Sequence, residues 1–379
     1  MYKGTIKSKI LTHLGNVSGW RTKRKIVVIE SDDWGNIRLK SKEARQRLIA
    51  KGLDCNAIHY DSVDALESNT DLEFLFEVLS SVKDKNGKGA VFTPMCNLAN
   101  PDFDAISKNE NVSYVVQPLH KTIEEYSNHD RVLKLWKEGY VKGFFDAGFH
   151  NREHFSVSRV MRHLHQRTPG FMECFEERSL GILKYRGQLM ENYINALHPD
   201  SKDEILSFHS IIEEGCKLFE QYFGHPPQVF IAPNAEEPKE LESTLSSCGI
   251  KYLTRSKRRR YPLGDGRFER EINWLGKTNE LGQICISRNC FFEPVTWGEH
   301  NEITDWVDNC LKEIEISFKW NKPAVISSHR VNYTGTIEVQ NRDKGLRALK
   351  KLLDRIVLKW PDIEFMSSSE LGQLIGGEK

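Results

Sequence analysis

The chain of 379 residues carries 54 Lys and Arg against 53 Asp and Glu, a formal charge of +1, with 39% hydrophobic and 28% charged residues. This balance is that of an ordinary globular protein, with no global field to draw nucleic acid. No apolar run approaches the ~18 residues needed to cross a bilayer. The length suits one elaborated domain over 1–379, with its core over about 22–375.

The N-terminal "MYKGTIKSKILTHLGNVSGWRTKRK" scatters its charges and has neither an apolar signal region nor a small-residue cleavage site. A cytoplasmic protein is the expectation. The weakly amphipathic, basic segment reads as a docking helix, with peripheral contact to a membrane surface as the alternative. The eight cysteines are far apart with no CxxC, which fits reduced thiols in the core rather than disulfides or structural zinc.

Next comes "KIVVIESDDWG" (25–35), an apolar run that ends in adjacent carboxylates, Asp32 and Asp33. Further β-branched runs follow at "GAVFTPM", "SYVVQP", "QVFIAP", "KYLT", "QICIS", "AVISS" and "IEFMS". Segments of helical period alternate with several of them: "DLEFLFEVLSSVKD", "DEILSFHSIIEEGCKLFEQYF", "EITDWVDNCLKEIEISFKW" and "LRALKKLLDRIVLKW". This order predicts an α/β fold with a mostly parallel sheet. The stretch 155–200 shows no strand pattern and reads as a helical insertion. The charge run "RSKRRRY" (255–261) reads as a solvated loop, with binding of phosphate or anionic glycan as the alternative.

Ligands of α/β folds sit at the carboxyl ends of the strands, so Asp32 and Asp33 should stand on the functional face. A single Asp there can cap the next helix; two exceed what a cap needs. In "GFHNREHF", His150 and His154 stand at i, i+4, a spacing that lets both imidazoles grip one metal. "KPAVISSHRVNY" delivers His329 to a strand end, where a side chain titrating near neutrality suits general acid or base work. "HPPQVFIAPNAEEP" ends in a turn at Pro233 and Asn234 that can offer a backbone N–H to an oxyanion.

In chain order these four stretches resemble the polysaccharide deacetylase family, the NodB-like members of carbohydrate esterase family 4. "ESDDWG" is similar to the family's Asp-Asp-Gly strand end, with Trp34 inserted before the Gly. "GFHNREHF" is similar to its two-histidine motif, "YFGHPPQVFIAPNA" to its Arg-Pro-Pro-Tyr turn and "AVISSHRVNY" to its Leu-x-His strand. "IEFMSSSELGQLI" is similar to the closing strand and helix. The resemblance implies a distorted (β/α)7-type barrel and removal of an acetyl group from an amino sugar or glycan by metal-activated water. It assigns Asp33, His150 and His154 as metal ligands, Asp32 as general base, His329 as general acid and the Asn234 backbone N–H as an oxyanion donor. The implied cofactor is a divalent cation, Zn²⁺ first, with Co²⁺, Ni²⁺ or Fe²⁺ suiting similar ligands.

Two family positions differ. Ile231 stands where the family has the Arg that orients the catalytic Asp, and Asn234 where it has Tyr. Arg288, after another strand, is the candidate replacement, and Asp305, beside Trp306, the candidate for the family's aspartate motif. Two other readings compete. His150-Asn151-Arg152-Glu153-His154 also fits the H-x-x-E-H pattern of zinc peptidases, with Glu153 as base. A barrel without its orienting Arg can also serve as a glycan-binding or scaffold protein.

Overall fold

The computed structural model describes residues 13–110, 112–296 and 305–377; the basic N-terminal residues 1–12, and residues 303–304 just before Asp305, lie outside them. Nine strands make one sheet: β1 (Lys25–Trp34), β2 (Phe92–Cys96), β3 (Gly148–Phe149), β4 (Val229–Phe230) and β5 (Tyr252–Thr254), then β6 (Ile284–Ile286), β7 (Cys290–Phe291), β8 (Ala324–His329) and β9 (Ile363–Phe365). Neighbours along the path β6-β5-β4-β3-β2-β1-β8-β7 are all parallel, and β9 pairs with the start of β1. The eight strands of the path curl through 233°. The fold is thus the expected distorted (β/α) barrel, with eight strands on the path and its ring left open between β6 and β7.

Alternation along β1 builds the layers. Val27 and Ile29 point outward into the large core shared with the helices, and Ile26 and Val28 point inward with Met95, Val229, Ile231 and Val325. All four are buried, as a parallel strand covered on both faces requires. Each such aliphatic contributes roughly 1.5–3 kcal/mol on burial. Continuing the inward series gives Glu30 and Asp32. On β8 the same alternation runs from Val325 through Ser327 to His329, and Asp32 lies in register with His329. The lower barrel is therefore apolar and its carboxyl end polar.

The outer layer includes α1 (Asn69–Ser80), α3 (Lys202–Phe223), α4 (Trp306–Lys319) and α5 (Val339–Lys359), while α2 (Val157–His165) packs in a separate core with Phe171 and Tyr193, and α6 (Ser368–Gly376) sets Leu371 into the inward-facing cluster. On α3 the buried Ile205, Phe208, Ile212, Cys216 and Phe219 recur every three or four residues, Ser201 caps the start, and Gly224 ends it at φ 82. No helix among the described residues is long and apolar enough to cross a membrane.

Three expectations need correction. Residues 155–200 hold α2 and a short helix, Phe171–Glu176, but also a hairpin, Lys184–Tyr185 against Gln188–Leu189. Its turn residues Arg186 and Gly187 both have positive φ, the two-residue geometry that matches strand twist. "SYVVQP" does not join the main sheet: only Val116–Pro118 is a strand, paired antiparallel with Ala99–Pro101 in a separate ribbon. "RSKRRRY" is not a solvated loop: Arg258–Pro262 pairs with Phe268–Ile272, and Arg255 and Arg259 are buried against Glu237 and Glu242.

Candidate active site

A regular strand would send Asp32 and Asp33 to opposite faces. Here the pairing of β1 with β2 slips between Ser31 and Trp34, and Asp33 takes a left-handed φ of 76°. This bulge, of the kind that re-aims side chains near active sites, brings both carboxylates to the barrel's polar end. Gly35 follows at φ 77°, and a Cβ there would stand 2.2 Å from the Asn97 carbonyl oxygen. The Gly after the two acids is thus required by the fold itself.

His150 and His154 flank a loop that leaves β3; helix α2 starts only at Val157. Both imidazoles reach Asp33, with His154 Nε2 3.1 Å and His150 Nε2 3.5 Å from its Oδ1. One donor atom from each of the three residues lies within 4.8 Å of the others, and all three residues are buried. His150 Nδ1 donates to the Ile231 carbonyl at 2.8 Å, which leaves the buried Nε2 as a lone pair without a hydrogen-bond partner. The Asn97 amide holds the His150 carbonyl oxygen. An oriented imidazole with an unsatisfied inner nitrogen, a second imidazole and a carboxylate fit a divalent cation of the zinc type. Burial alone would raise the Asp33 carboxyl, but the closeness of the His150 and His154 imidazoles holds it well below the usual range. Burial lowers His154. An ionised Asp and a neutral His are the forms that bind metal.

Asp32 belongs to a different set. Arg288 donates to both its oxygens, at 2.5 and 2.7 Å, while its Nε donates to Glu30 at 2.6 Å and Nη1 to Ser327 at 3.1 Å. Glu30 also accepts from Thr254 and Ser368. Burial works to raise the Asp32 carboxyl, and the charge of Arg288 overcomes it and keeps the group lowered. Arg288, the residue the sequence reading named as a candidate partner of Asp32, is the cation that meets it here.

His329 Nε2 lies 3.7 Å from Asp32, and its Nδ1 meets Glu293 at 2.7 Å. Asn332 donates to the other oxygen of Glu293. The Tyr60 ring packs edge-on against His329, with centroids 5.5 Å apart. Burial would lower the His329 imidazole, and the charge of Glu293, then those of Asp32 and Asp33, bring it up to about 10. Glu293 and Tyr60 escaped the sequence reading. Glu293 follows a strand of only two residues, too short to show a period, and Tyr60 sits in no pattern.

Asn234 and Ala235 both adopt positive φ, 53° and 54°, in the turn after β4. The Asn234 side chain is exposed and donates to Ile194 O at 3.2 Å; the turn is tied to the Asp33, His150 and His154 cluster through the Ile231 carbonyl and His150. Asp305 is the N-cap of α4, accepting from the Asp308 N–H, and is exposed. Glu153 is held by both arms of Arg152, at 2.6 and 2.8 Å, and the His150–His154 stretch is not helical. That is not the helix-borne arrangement of an H-x-x-E-H peptidase. His163 stacks on Phe171 at 4.8 Å in the insertion's core. The eight cysteines are free, and all but Cys248 are buried.

No protein-family model matches the chain, and no curated protein does. Among solved structures it resembles a protein described as a polysaccharide deacetylase from Pseudomonas aeruginosa PAO1, at 7% identity and a TM-score of 0.47, over 93% of this chain and 90% of that one. Another so described, from Mycobacterium smegmatis, is 11% identical with a TM-score of 0.43 over 95% and 93%. A 4-alpha-glucanotransferase from Thermococcus litoralis is 12% identical with a TM-score of 0.45; the match covers 92% of this chain but only 40% of that longer protein.

Proposed function

We propose that the protein is a metal-dependent deacetylase that removes an acetyl group from an amino sugar, on a glycan or its nucleotide- or lipid-linked precursor. The observation that carries the reading is the division of two adjacent carboxylates. Asp33 faces two imidazoles, and Asp32, one residue earlier, faces Arg288 and His329.

Asp33, His150 and His154 would hold the cation. A divalent metal there supplies Lewis acidity toward a water and an acetamide carbonyl. Asp32, kept ionised and fixed in one orientation by Arg288, accepts the proton of the attacking water. His329, protonated at neutral pH because Glu293 holds its Nδ1–H, gives a proton from Nε2 to the leaving amine. Glu293 fixes the tautomer and direction of that donor, and Tyr60 limits the ring's tilt. The Asn234 turn offers a backbone N–H to the oxyanion. Zn²⁺ is the favoured cation for this donor set.

The test is metal content and acetate release measured together on wild type, Asp33→Ala and Asp32→Asn, with acetylated amino-sugar oligomers and nucleotide sugars. One metal per chain, lost in Asp33→Ala but kept in Asp32→Asn, with release falling at least ~100-fold in both, is expected. Wild type that takes up no metal on reconstitution would leave the barrel as a glycan-binding protein instead.

A further inference from the structure

The open edge of the barrel holds a second cavity, of about 390 Å³, a volume in the range of small-molecule sites (about 300–1,000 Å³). It sits where β6 passes to β7 through Ser287, Arg288 and Asn289, and is lined on its other sides by Gly15, Asn16, Ser18, Lys257, Asn273–Leu275, Glu313 and Lys322. Arg288 is the wall shared with the candidate active site.

The charges of this cavity do not cancel. Lys322 is buried, and its ammonium gives all three donors to the carbonyls of Ser18, Gly19 and Trp20. Lys257 gives one donor to Leu14 O, which leaves two. Among the described residues neither lysine meets a carboxylate. Burial first, and then the nearby charges of Arg21 and Lys257, push Lys322 down to about 8. The cavity's carboxylate, Glu313, is pushed up to about 7 by burial and so is only partly ionised at neutral pH. Arg288 has four of its five N–H groups on Glu30, Asp32 and Ser327, and one remains.

The rest of the wall is suited to a ring. Trp274 and Phe291 are 38% and 50% exposed, large aromatic surfaces left open at the cavity. Between the charged and aromatic parts lies Asn273, 1% exposed, whose Nδ2 has no partner, a buried donor that costs stability while it stays unpaired.

We propose that this cavity is a binding site for a small ring-bearing organic anion, its phosphate or carboxylate at Lys257 and its ring against Trp274 and Phe291. The site is separate from the metal cluster and does not depend on the deacetylase reading. Free cationic donors, an unsatisfied amide and exposed aromatic faces in one cavity are the complement of such a ligand.

Calorimetric titration of the full chain with uridine monophosphate, glucose 1-phosphate, uridine and inorganic phosphate tests it. Expected is saturable binding, one per chain, of at least one of the two ring-bearing phosphates. It should be at least ~10-fold tighter than uridine, which lacks the anion, or phosphate, which lacks the ring; ~10-fold corresponds to about 1.4 kcal/mol. Lys257→Gln and Trp274→Leu, both substitutions of partly exposed side chains, should each weaken it ~10-fold, with unchanged circular dichroism. His150→Ala should leave it intact. Absence of saturable binding, binding indifferent to both cavity variants, or binding abolished by His150→Ala would each overturn the assignment.

Discussion

Arg288→Met removes the cation that Asp32 and Glu30 share. The guanidinium lies 2.5 and 2.7 Å from the oxygens of Asp32 and 2.6 Å from Glu30, whose side chain is 0% exposed. Removing one partner of a buried ion pair costs about 3–5 kcal/mol, because the other charge stays behind without water. With two carboxylates stranded, the upper half of that range is expected. At about 2.1 cal/mol/K of unfolding entropy per residue, the 379-residue chain has ~0.8 kcal/mol/K, so the midpoint should fall by about 5–6 °C.

The pH dependence gives a sharper check. The folded Asp32 carboxyl is lowered, burial notwithstanding, by Arg288. A lowered carboxyl contributes stability that is present above its unfolded pKa and is lost as pH falls through the folded value. The variant lacks this contribution, so the gap between wild type and Arg288→Met should be wide at neutral pH and close below about pH 4. Urea unfolding followed by circular dichroism measures both. A gap under about 1 kcal/mol at neutral pH, the size of a surface pair, or one that stays constant into acid, would refute the reasoning.

Glu293→Gln should bring the His329 imidazole down from about 10 by more than ~1 unit, read from its ring resonances in metal-free protein. A raised folded value gives stability that is full below about pH 6.5 and lost as pH rises through about 10, so in the variant this alkaline loss should be smaller and complete at a lower pH; an unmoved titration removes Glu293 from the account. Asp33→Gly and Asp33→Ala should both lose the metal, yet the Gly variant should be about 1 kcal/mol the more stable, because position 33 sits at φ 76°. Equal stabilities in a thermal melt would mean that the bulge relaxes.

The barrel was legible where strands were long. β1 and β8 carry runs of buried β-branched residues that stop at a charged group, and α3, α4 and α5 carry a helical period over 14 residues or more. β3 and β7, with two residues each, leave no period to read. "RSKRRRY" misled because its charge conceals an alternation: Arg259 and Tyr261 turn in and Arg258 and Arg260 turn out. Two buried arginines are tolerable only because Glu237 and Glu242, far enough away in sequence to escape notice, lie beneath them. Adjacency hid the bulge as well. Nothing in "SDDW" announces that the second Asp is left-handed; that follows from the slipped pairing with β2.

The two groups proposed as base and acid draw their partners from one short segment. Arg288 precedes β7 and Glu293 follows it, so the stretch from 288 to 293 grips Asp32 at one end and His329 at the other. That stretch is anchored from below, where the Asn289 amide group donates to the Pro323 carbonyl and accepts from the Val325 N–H. It is anchored from the side by the Phe291 N–H on Glu313. Drawing the cation on Asp32 from the β7 edge therefore does more than hold one carboxylate. It couples the ionisation of the proposed base to that of the proposed acid through the six residues 288–293 at the barrel's open seam. A displacement of β7 would loosen both contacts together, so this seam is where the site's protonation is most exposed to change.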